Sequence, residues 1–588
     1  MEFAQLGIVG EFALFGVVGV ITIVAAGVFG PKLGVAAPLL LILIGIGFSF
    51  IYTQPVEINP EIILVGLLPP ILYSAAINVP VVDFRRNFSS ISALSVVLVL
   101  VTTFITGYVL YRIFPDLSLA GGIAIGAVIS PTDAVAATAL GKRLGLPPRL
   151  VLILEGESLV NDATALVLLR SAIAATAGTV TFWSVAGNFG VAVVVAVAVG
   201  LFVGWLTVWV RSKLHNPMLD TVISLAVPFI AYIPAEYLHG SGVLAVVVAG
   251  LYSGHQGARH FSAQARISER LNWRTAQFVI ENGVFLLMGL QIRTLLAQVA
   301  TDKATANAIV LGLFMALLLL VIRFIFIGPL LLLVRRGQSR DETRHTRIEA
   351  ALDRLRSAIP TRRGAKRRID RAEQFYERRK TDLEQLKAEG LGWRGGIVLG
   401  WAGMRGVVTL AAAQSLPSED QFPYRSELVL LAFVVAVATL LVQGGTLPLL
   451  IRATRIRGSD RTEDRRELAT LLDEMGAAGV AVLENPEFTL VDDKPIEDAV
   501  IDRVRNDTLL GAESAWERAD NGTDEKGVAR SPHQQYRALR REVLQAERGA
   551  LLDARSSGTY PSRILSRAQA MLDLEETRLE QMDNPSGS

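Results

Sequence analysis

Glu155-Gly156-Glu157-Ser158-Leu159-Val160-Asn161-Asp162 lies inside an apolar run, 149–173, that is long enough to cross a bilayer. An ionisable side chain at membrane depth costs roughly 2.5–3.5 kcal/mol on insertion scales, so such residues face a bundle interior or line a path for ions. On a helix, residues four apart share a face. Ser158 therefore stacks with Asp162, and Glu157 with Asn161 on the adjoining ridge. Asp162 offers hard carboxylate oxygens suited to a small cation or a proton, and Ser158 a neutral oxygen one turn away.

The rest of the chain has the composition of a polytopic membrane protein. It has 588 residues, 51% of them hydrophobic, and a mean hydropathy of +0.42. Charged residues make up 19%, against about 25% in soluble domains. About thirteen apolar runs approach the roughly 20 residues that a spanning helix needs. Their limits are 9–29, 36–52, 61–79, 89–113, 118–140, 149–173, 184–210, 217–236, 240–254, 275–294, 306–334, 393–415 and 426–451. The expected class is an all-α membrane protein with about 13 transmembrane helices.

Charge divides the chain. Residues 1–335 form the first part of the transmembrane domain, 336–392 a charged cytoplasmic insertion, 393–455 the last two spans, and 456–588 a helical cytoplasmic domain. In the insertion, Ile348, Leu352 and Leu355, then Ile369, Ala372, Tyr376, Leu383 and Leu386, recur at helical spacing. The insertion reads first as a solvated cytoplasmic helical hairpin, and a lipid-headgroup surface made by Arg362, Arg363, Lys366, Arg367 and Arg368 is the alternative. In the tail, 463–475, 495–520 and 534–582 read as helices. The segment Met1-Glu2-Phe3-Ala4-Gln5 lacks a basic n-region, so the first run reads as a retained span. With no Cys, thiolate sites and cysteine nucleophiles are excluded.

Basic residues gather in alternate loops: Lys32; Arg85 and Arg86; Lys142, Arg143 and Arg149; Arg211 and Lys213; Arg259, Arg266 and Arg270. The opposite loops carry Glu57, Glu61, Asp116, Glu236, Glu419 and Asp420. The positive-inside rule places the N-terminus outside and the C-terminus in the cytoplasm. His255, His260 and His345 fall in cytoplasmic loops and read as ordinary surface histidines.

Two spans carry internal breaks. In Ser130-Pro131-Thr132-Asp133-Ala134-Val135, proline removes a hydrogen bond and clashes with the preceding turn, leaving free carbonyls beside Asp133, which can cap the second half-helix. In Gly400-Trp401-Ala402-Gly403-Met404-Arg405-Gly406-Val407-Val408-Thr409, glycines permit an unwound stretch around the charged Arg405. Irregular backbone at membrane depth survives only against protein or water, and secondary transporters build ion sites from it. The two breaks lie in the fifth and twelfth runs, the spacing of two inverted six-helix repeats joined by a linker span. Arg323 is a second cation in an apolar run and needs a carboxylate, with Glu157 the first choice and Glu155 or Glu281 the next. For Glu281 and Asn282, pathway and packing both remain open.

These motifs, together with Leu68-Pro69-Pro70-Ile71-Leu72-Tyr73, give the chain over about 10–455 a resemblance to the monovalent cation–proton antiporters, specifically the sodium/proton exchanger branch of bacterial type. The resemblance implies a homodimer in membrane lipid, with a dimerisation domain and a mobile core that moves as an elevator. It implies that Asp162 alternately carries a cation and a proton, and that the cation site draws on Asp162, Asn161, Ser158, Thr132 and Asp133, with Asp162, Ser158 and Thr132 as ligands of the transported Na+. Asn161 before Asp162 resembles the electroneutral branch, and electrogenic relatives carry Asp-Asp there. The chain departs from many relatives at Ser74, where they carry an acid.

One carboxylate that takes either H+ or a monovalent cation couples their exchange without a nucleotide, and the chain contains no Gly-x-x-x-x-Gly-Lys-Ser/Thr loop. Gly121-Gly122 and similar pairs read as helix packing. The expected function is exchange of Na+, with Li+, for H+ across the cytoplasmic membrane, for pH and sodium homeostasis, with no cofactor, no nucleic acid, no enzyme activity and regulatory contacts through the tail. K+/H+ exchange on the same fold is the alternative. A channel would need a selectivity filter, which the chain lacks. An intramembrane hydrolase using Asp133 and Asp162 leaves Asn161 and Arg405 without a role.

Overall fold

A computed structural model describes residues 2–51, 59–176, 178, 182–214, 216–299, 301–357 and 392–456, together with scattered positions from 466 to 579. Among the described residues there are helices and no strands. Six helical stretches are long and apolar enough to cross a membrane: Phe88–Ile113, Gly187–Arg211, Pro217–Tyr237, Gln264–Gln298, Asp302–Val334 and Arg425–Thr454. Shorter apolar helices at Leu14–Gly30, Ala37–Ile51, Ile62–Asn78 and Leu119–Ile129 add to them.

The helices sort into two packed groups. In the first, α1 (Glu2–Leu33), α2 (Ala37–Ile51) and α3 (Leu68–Asn78) pack with α10 (Phe182–Arg211), α11 (Pro217–Tyr237), α12 (Gly242–His260) and α13 (Ala263–Leu290). In the second, α6 (Val99–Ile113), α7 (Leu119–Ile129), α8 (Val135–Leu144) and α9 (Pro148–Thr176) pack with α15 (Asp302–Ser357), α16 (Trp393–Trp401), α17 (Val407–Gln414) and α18 (Arg425–Thr439). Three short helices, α4 (Val81–Arg86), α5 (Phe88–Ser92) and α14 (Ile292–Gln298), lie along the chain between them. The groups meet where α9 packs on α12 and α17 on α13. Arg170 on α9 also forms an ion pair with Glu236 on α11, and Glu236 in turn accepts from the Gly242 N–H at the start of α12, 2.9 Å.

Charge marks where the apolar slab ends, not where a helix ends. The runs 240–254 and 275–294 are bounded by their charged flanks, yet α12 continues to His260 and α13 begins at Ala263, with Ser262 accepting from the Ala265 N–H at 3.2 Å as its cap. Arg259, Arg266 and Arg270 therefore ride on helical extensions rather than a loop. In the same way α15 passes 335 without a break and reaches Ser357. Positions 358–391, including the basic patch from Arg362 to Arg368, lie outside the described residues.

Two basic residues assigned to cytoplasmic loops are internal. Arg149 is 5% exposed and donates to Asn87 Oδ1 at 2.9 Å. Arg211 is 1% exposed and meets both oxygens of Asp220 at 2.7–2.8 Å and Glu269 Oε1 at 2.6 Å, with its guanidinium 4.0 Å from the Phe261 ring centre. Asp220, an acid in the first turn of an apolar helix, was the sequence signal for this partner.

Close helix approach in the second group depends on glycine. A Cβ at Gly122 would stand 2.4 Å from the Gly107 carbonyl oxygen, and one at Gly126 would stand 2.3 Å from that of Thr103. These contacts let α6 and α7 touch backbone to backbone, the usual device where lipid gives helices no hydrophobic drive to associate.

A second compact unit covers Ser459–Ser588. Its described positions are helical, among them 475–481 and 542–547, with Leu544 and Leu579 buried and Arg540 lying 3.4 Å from Glu547 and 3.6 Å from Glu575.

Overpacking a tight interface costs about 1–3 kcal/mol. Gly122→Val is expected to lower the thermal midpoint of the detergent-solubilised protein clearly. Gly47→Val, on α2 where a Cβ meets nothing within 4 Å, should leave it nearly unchanged. Equal falls in the two variants would contradict the packing argument.

Candidate functional site

Each broken span consists of two half-helices separated by a short non-helical stretch, 130–134 between α7 and α8 and 402–406 between α16 and α17. Pro131 carries no N–H to continue the ladder, so α7 stops at Ile129 with Ser130 as its last α-region residue. The second break has no proline. There the chain leaves the helix at Ala402 and re-enters after Gly406, whose backbone is extended. The breaks meet: the Asp133 N–H donates to the Met404 carbonyl at 2.7 Å.

The side chains answer the exposed helix ends. Asp133 Oδ1 accepts from the Val135 N–H at 2.8 Å, capping α8. Arg405 Nε donates to the Ile129 carbonyl at the end of α7, 3.2 Å, and its Nη1 to the Gly403 carbonyl. Arg323 Nε donates to the Leu399 carbonyl in the last turn of α16, 3.0 Å. Each guanidinium thus sits at the negative end of a half-helix, and the Asp133 carboxylate sits at the positive end of α8. The Arg405 N–H donates to Thr439 Oγ1, 3.0 Å, just before a π-helical stretch, Leu440–Gly444, that packs against Met404.

Glu157 is the partner of Arg323. Its carboxylate takes both terminal nitrogens, Oε1 at 2.5 Å and Oε2 at 2.8 Å, a bidentate geometry that Arg is built for. Thr132 Oγ1 donates to Glu157 Oε1 at 2.7 Å, and Asn161 Nδ2 donates to both the Thr132 carbonyl, 2.8 Å, and its hydroxyl, 3.0 Å. Thr132, expected among the cation ligands, is therefore a junction that ties the unwound chain to α9, with one lone pair on its hydroxyl left over. Ser158 Oγ receives a long contact, 3.5 Å, from the Ala134 N–H.

Asp162 differs from its neighbours. It is 8% exposed, and its carboxylate makes no hydrogen bond or ion pair among the described residues. The adjacent Asn161 Oδ1 is likewise buried without a donor. A carboxylate and an amide oxygen, both unclaimed and both inside the helix bundle, form an acceptor set that a proton or a desolvated monovalent cation completes.

The count of charges points the same way. Asp133, Glu157 and Asp162 face Arg323 and Arg405, so three carboxylates against two guanidiniums leave one negative charge unmatched when all are ionised. The cavity behind the ion pair, about 10 Å³ and lined by Thr102, Ser130, Thr132, Glu157, Arg323 and Arg405, holds at most about one water.

Sequence reasoning missed the glycine contacts. A Cβ at Gly406 would lie 2.1 Å from Asp133 Oδ2, and one at Gly403 would lie 2.5 Å from Arg323 Cδ. These two glycines, read from the sequence as generic flexibility, are where the second break admits the side chains of Asp133 and Arg323. The carbonyl partners of the arginines were missed as well, because backbone acceptors leave no mark in a sequence.

Residues 18–453 match the family model described as sodium/hydrogen exchanger, transmembrane. An uncharacterized Na+/H+ exchanger of Mycobacterium tuberculosis strain H37Rv is 30% identical over 97% of this chain and 98% of its own length. A sodium, potassium, lithium and rubidium/H+ antiporter of Bacillus subtilis is 27% identical over 71% of this chain and 58% of that protein. Among solved structures, the sodium proton antiporter MjNhaP1 of Methanocaldococcus jannaschii superposes with a TM-score of 0.55 at 16% identity, covering 76% of this chain and all of that one.

Removing one member of a buried ion pair costs roughly 3–5 kcal/mol, because the other charge is stranded. Glu157→Gln should therefore destabilise strongly, and Glu157→Gln with Arg323→Gln should recover part of the loss. Thermal unfolding in detergent reads the cycle, and strictly additive losses would argue against the coupling.

Proposed function

The chain belongs to the sodium/hydrogen exchanger family and is a multi-pass membrane antiporter of monovalent cations and protons, and from this premise we propose that it exchanges one Na+ or Li+ for one H+ at Asp162. The observation that carries the proposal is that Asp162 is a buried carboxylate with no partner among the described residues, in a centre short of one positive charge. A bound proton neutralises that centre, and so does a bound monovalent cation. Both together would leave it one positive charge in excess at membrane depth, so the two compete.

In this reading Asp162 is the carrier group and Asn161 Oδ1 and Ser158 lie within its reach. Asp133 holds the α8 end. Thr132, Glu157, Arg323 and Arg405 fix the crossing. Exchange is electroneutral and driven by the two ion gradients, with no cofactor. The chain works as a homodimer in the cytoplasmic membrane, with about 13 helices in two inverted repeats. The second helix group moves as a unit against the first. The N-terminus lies outside and the C-terminal unit in the cytoplasm, where it offers a regulatory contact. The remaining basic residues, Lys32, Lys142, Arg143 and Lys213 among them, support that orientation without Arg149 and Arg211. A second reading, K+/H+ exchange, draws on the Bacillus subtilis relative, whose name includes potassium and rubidium.

Proteoliposomes loaded with a pH dye test both. Na+ and Li+ should dequench the dye, and a larger response to K+ and Rb+ would favour the second reading. Asp162→Asn should abolish the response to every cation while the thermal midpoint holds or rises, since a burial cost is removed. Cation-driven proton flux that survives in Asp162→Asn would falsify the assignment of Asp162.

A further inference from the structure

A carboxylate outside the crossing has no role in the mechanism so far. Glu281 stands on α13 in the apolar stretch Phe278-Val279-Ile280-Glu281-Asn282-Gly283-Val284-Phe285, half-buried, and no cation pairs with it among the described residues. Its Oε1 accepts from Gln277 Nε2 at 2.6 Å, and Gln277 Oε1 accepts from Ser74 Oγ at 2.9 Å. A neutral amide and a neutral hydroxyl hold the group in place, then, and leave its charge uncompensated.

The helix that carries Glu281 reaches the crossing. It packs against α17, whose first turn opens on Gly406 against Asp133. Val408, in the same turn, packs on the apolar cluster that contains Tyr73 of α3 and Trp273 of α13. If position 281 served packing alone, a glutamine would bond Gln277 as well and spare the desolvation of a charge. The position keeps a carboxylate at membrane depth, so the charge itself is what it contributes.

We infer that Glu281 is a cation-drawing residue on the route to Asp162, held toward the crossing by the Ser74–Gln277 bridge. The inference rests on the antiport reading. Glu281 acts on the approach of the cation rather than on its exchange, so its removal should weaken apparent affinity and spare the turnover rate.

The test is Na+-dependent proton flux in proteoliposomes, with KM and maximal rate read separately. Glu281→Gln should raise the KM for Na+ about fivefold to tenfold with a maximal rate within about twofold of the unmodified protein. Glu281→Asp should stay close to the unmodified KM. Because Ser74 shares the Gln277 amide, Ser74→Asp combined with Glu281→Gln should bring the charge back and lower the KM again, whereas Ser74→Asn combined with Glu281→Gln should not. An unchanged KM in Glu281→Gln, or double variants that behave alike, overturns the inference while leaving the antiport reading intact. Absence of cation-coupled flux in the unmodified protein overturns both.

Discussion

A backbone N–H or carbonyl that leaves a helix inside a membrane has no water to turn to, and each one left unpaired costs several kcal/mol. The structure around Asp162 is organised by this constraint. Two spans are interrupted, and the interruptions answer one another: the Asp133 N–H closes on the Met404 carbonyl, Arg405 reaches back to Ile129, and Arg323 reaches Leu399. Removing any one of these contacts strands buried polar groups at the crossing. The crossing is therefore a mutual arrangement, in which each break satisfies polar groups of the other. Gly403 and Gly406 belong to the same constraint, since they let charged side chains come against the second break at distances that a Cβ would forbid.

Solving the backbone problem with arginines creates an electrostatic one. The guanidiniums at the ends of α7 and α16 bring two positive charges into the buried crossing, and Glu157, Asp133 and Asp162 bring three negative ones. Glu157 is consumed by Arg323 and Thr132, and Asp133 by the cap on α8. What remains for chemistry is the one carboxylate of the three that no described residue claims. Glu157 and Asp162 lie on the same helix little more than a turn apart, one held by Arg323 and Thr132, the other bonded by no described residue and, in the proposed reading, the group that exchanges its partner. Asn161, the neighbour of Asp162, commits its Nδ2 to the scaffold and leaves its Oδ1 without a donor.

Much of this was legible in the sequence, and the reasons for what was not are physical. Polar residues inside apolar runs are costly enough to announce themselves, so Glu157, Asp162, Asp133, Arg323 and Arg405 stood out at once, and an unpaired arginine demanded a carboxylate that Glu157 supplied. Helix ends beyond the membrane were not legible, because once α12, α13 and α15 enter water their polarity changes but their backbone need not. Arg149 and Arg211 looked like loop charges because their partners, Asn87, Asp220 and Glu269, are distant along the chain or on another helix. The freedom of Asp162 was equally invisible: a sequence lists acceptors, and only the fold shows which of them are already taken.

Charge is where the mechanism is most exposed to test. If the centre lacks one positive charge and takes either one proton or one monovalent cation, each half-cycle carries the same net charge and exchange moves none. Proteoliposomes adsorbed to a solid-supported membrane, given a sudden rise in external Na+, report charge movement and luminal pH together. The expected result is a luminal pH change with no sustained current. A current that scales with the rate of the pH change and persists at steady state would contradict it.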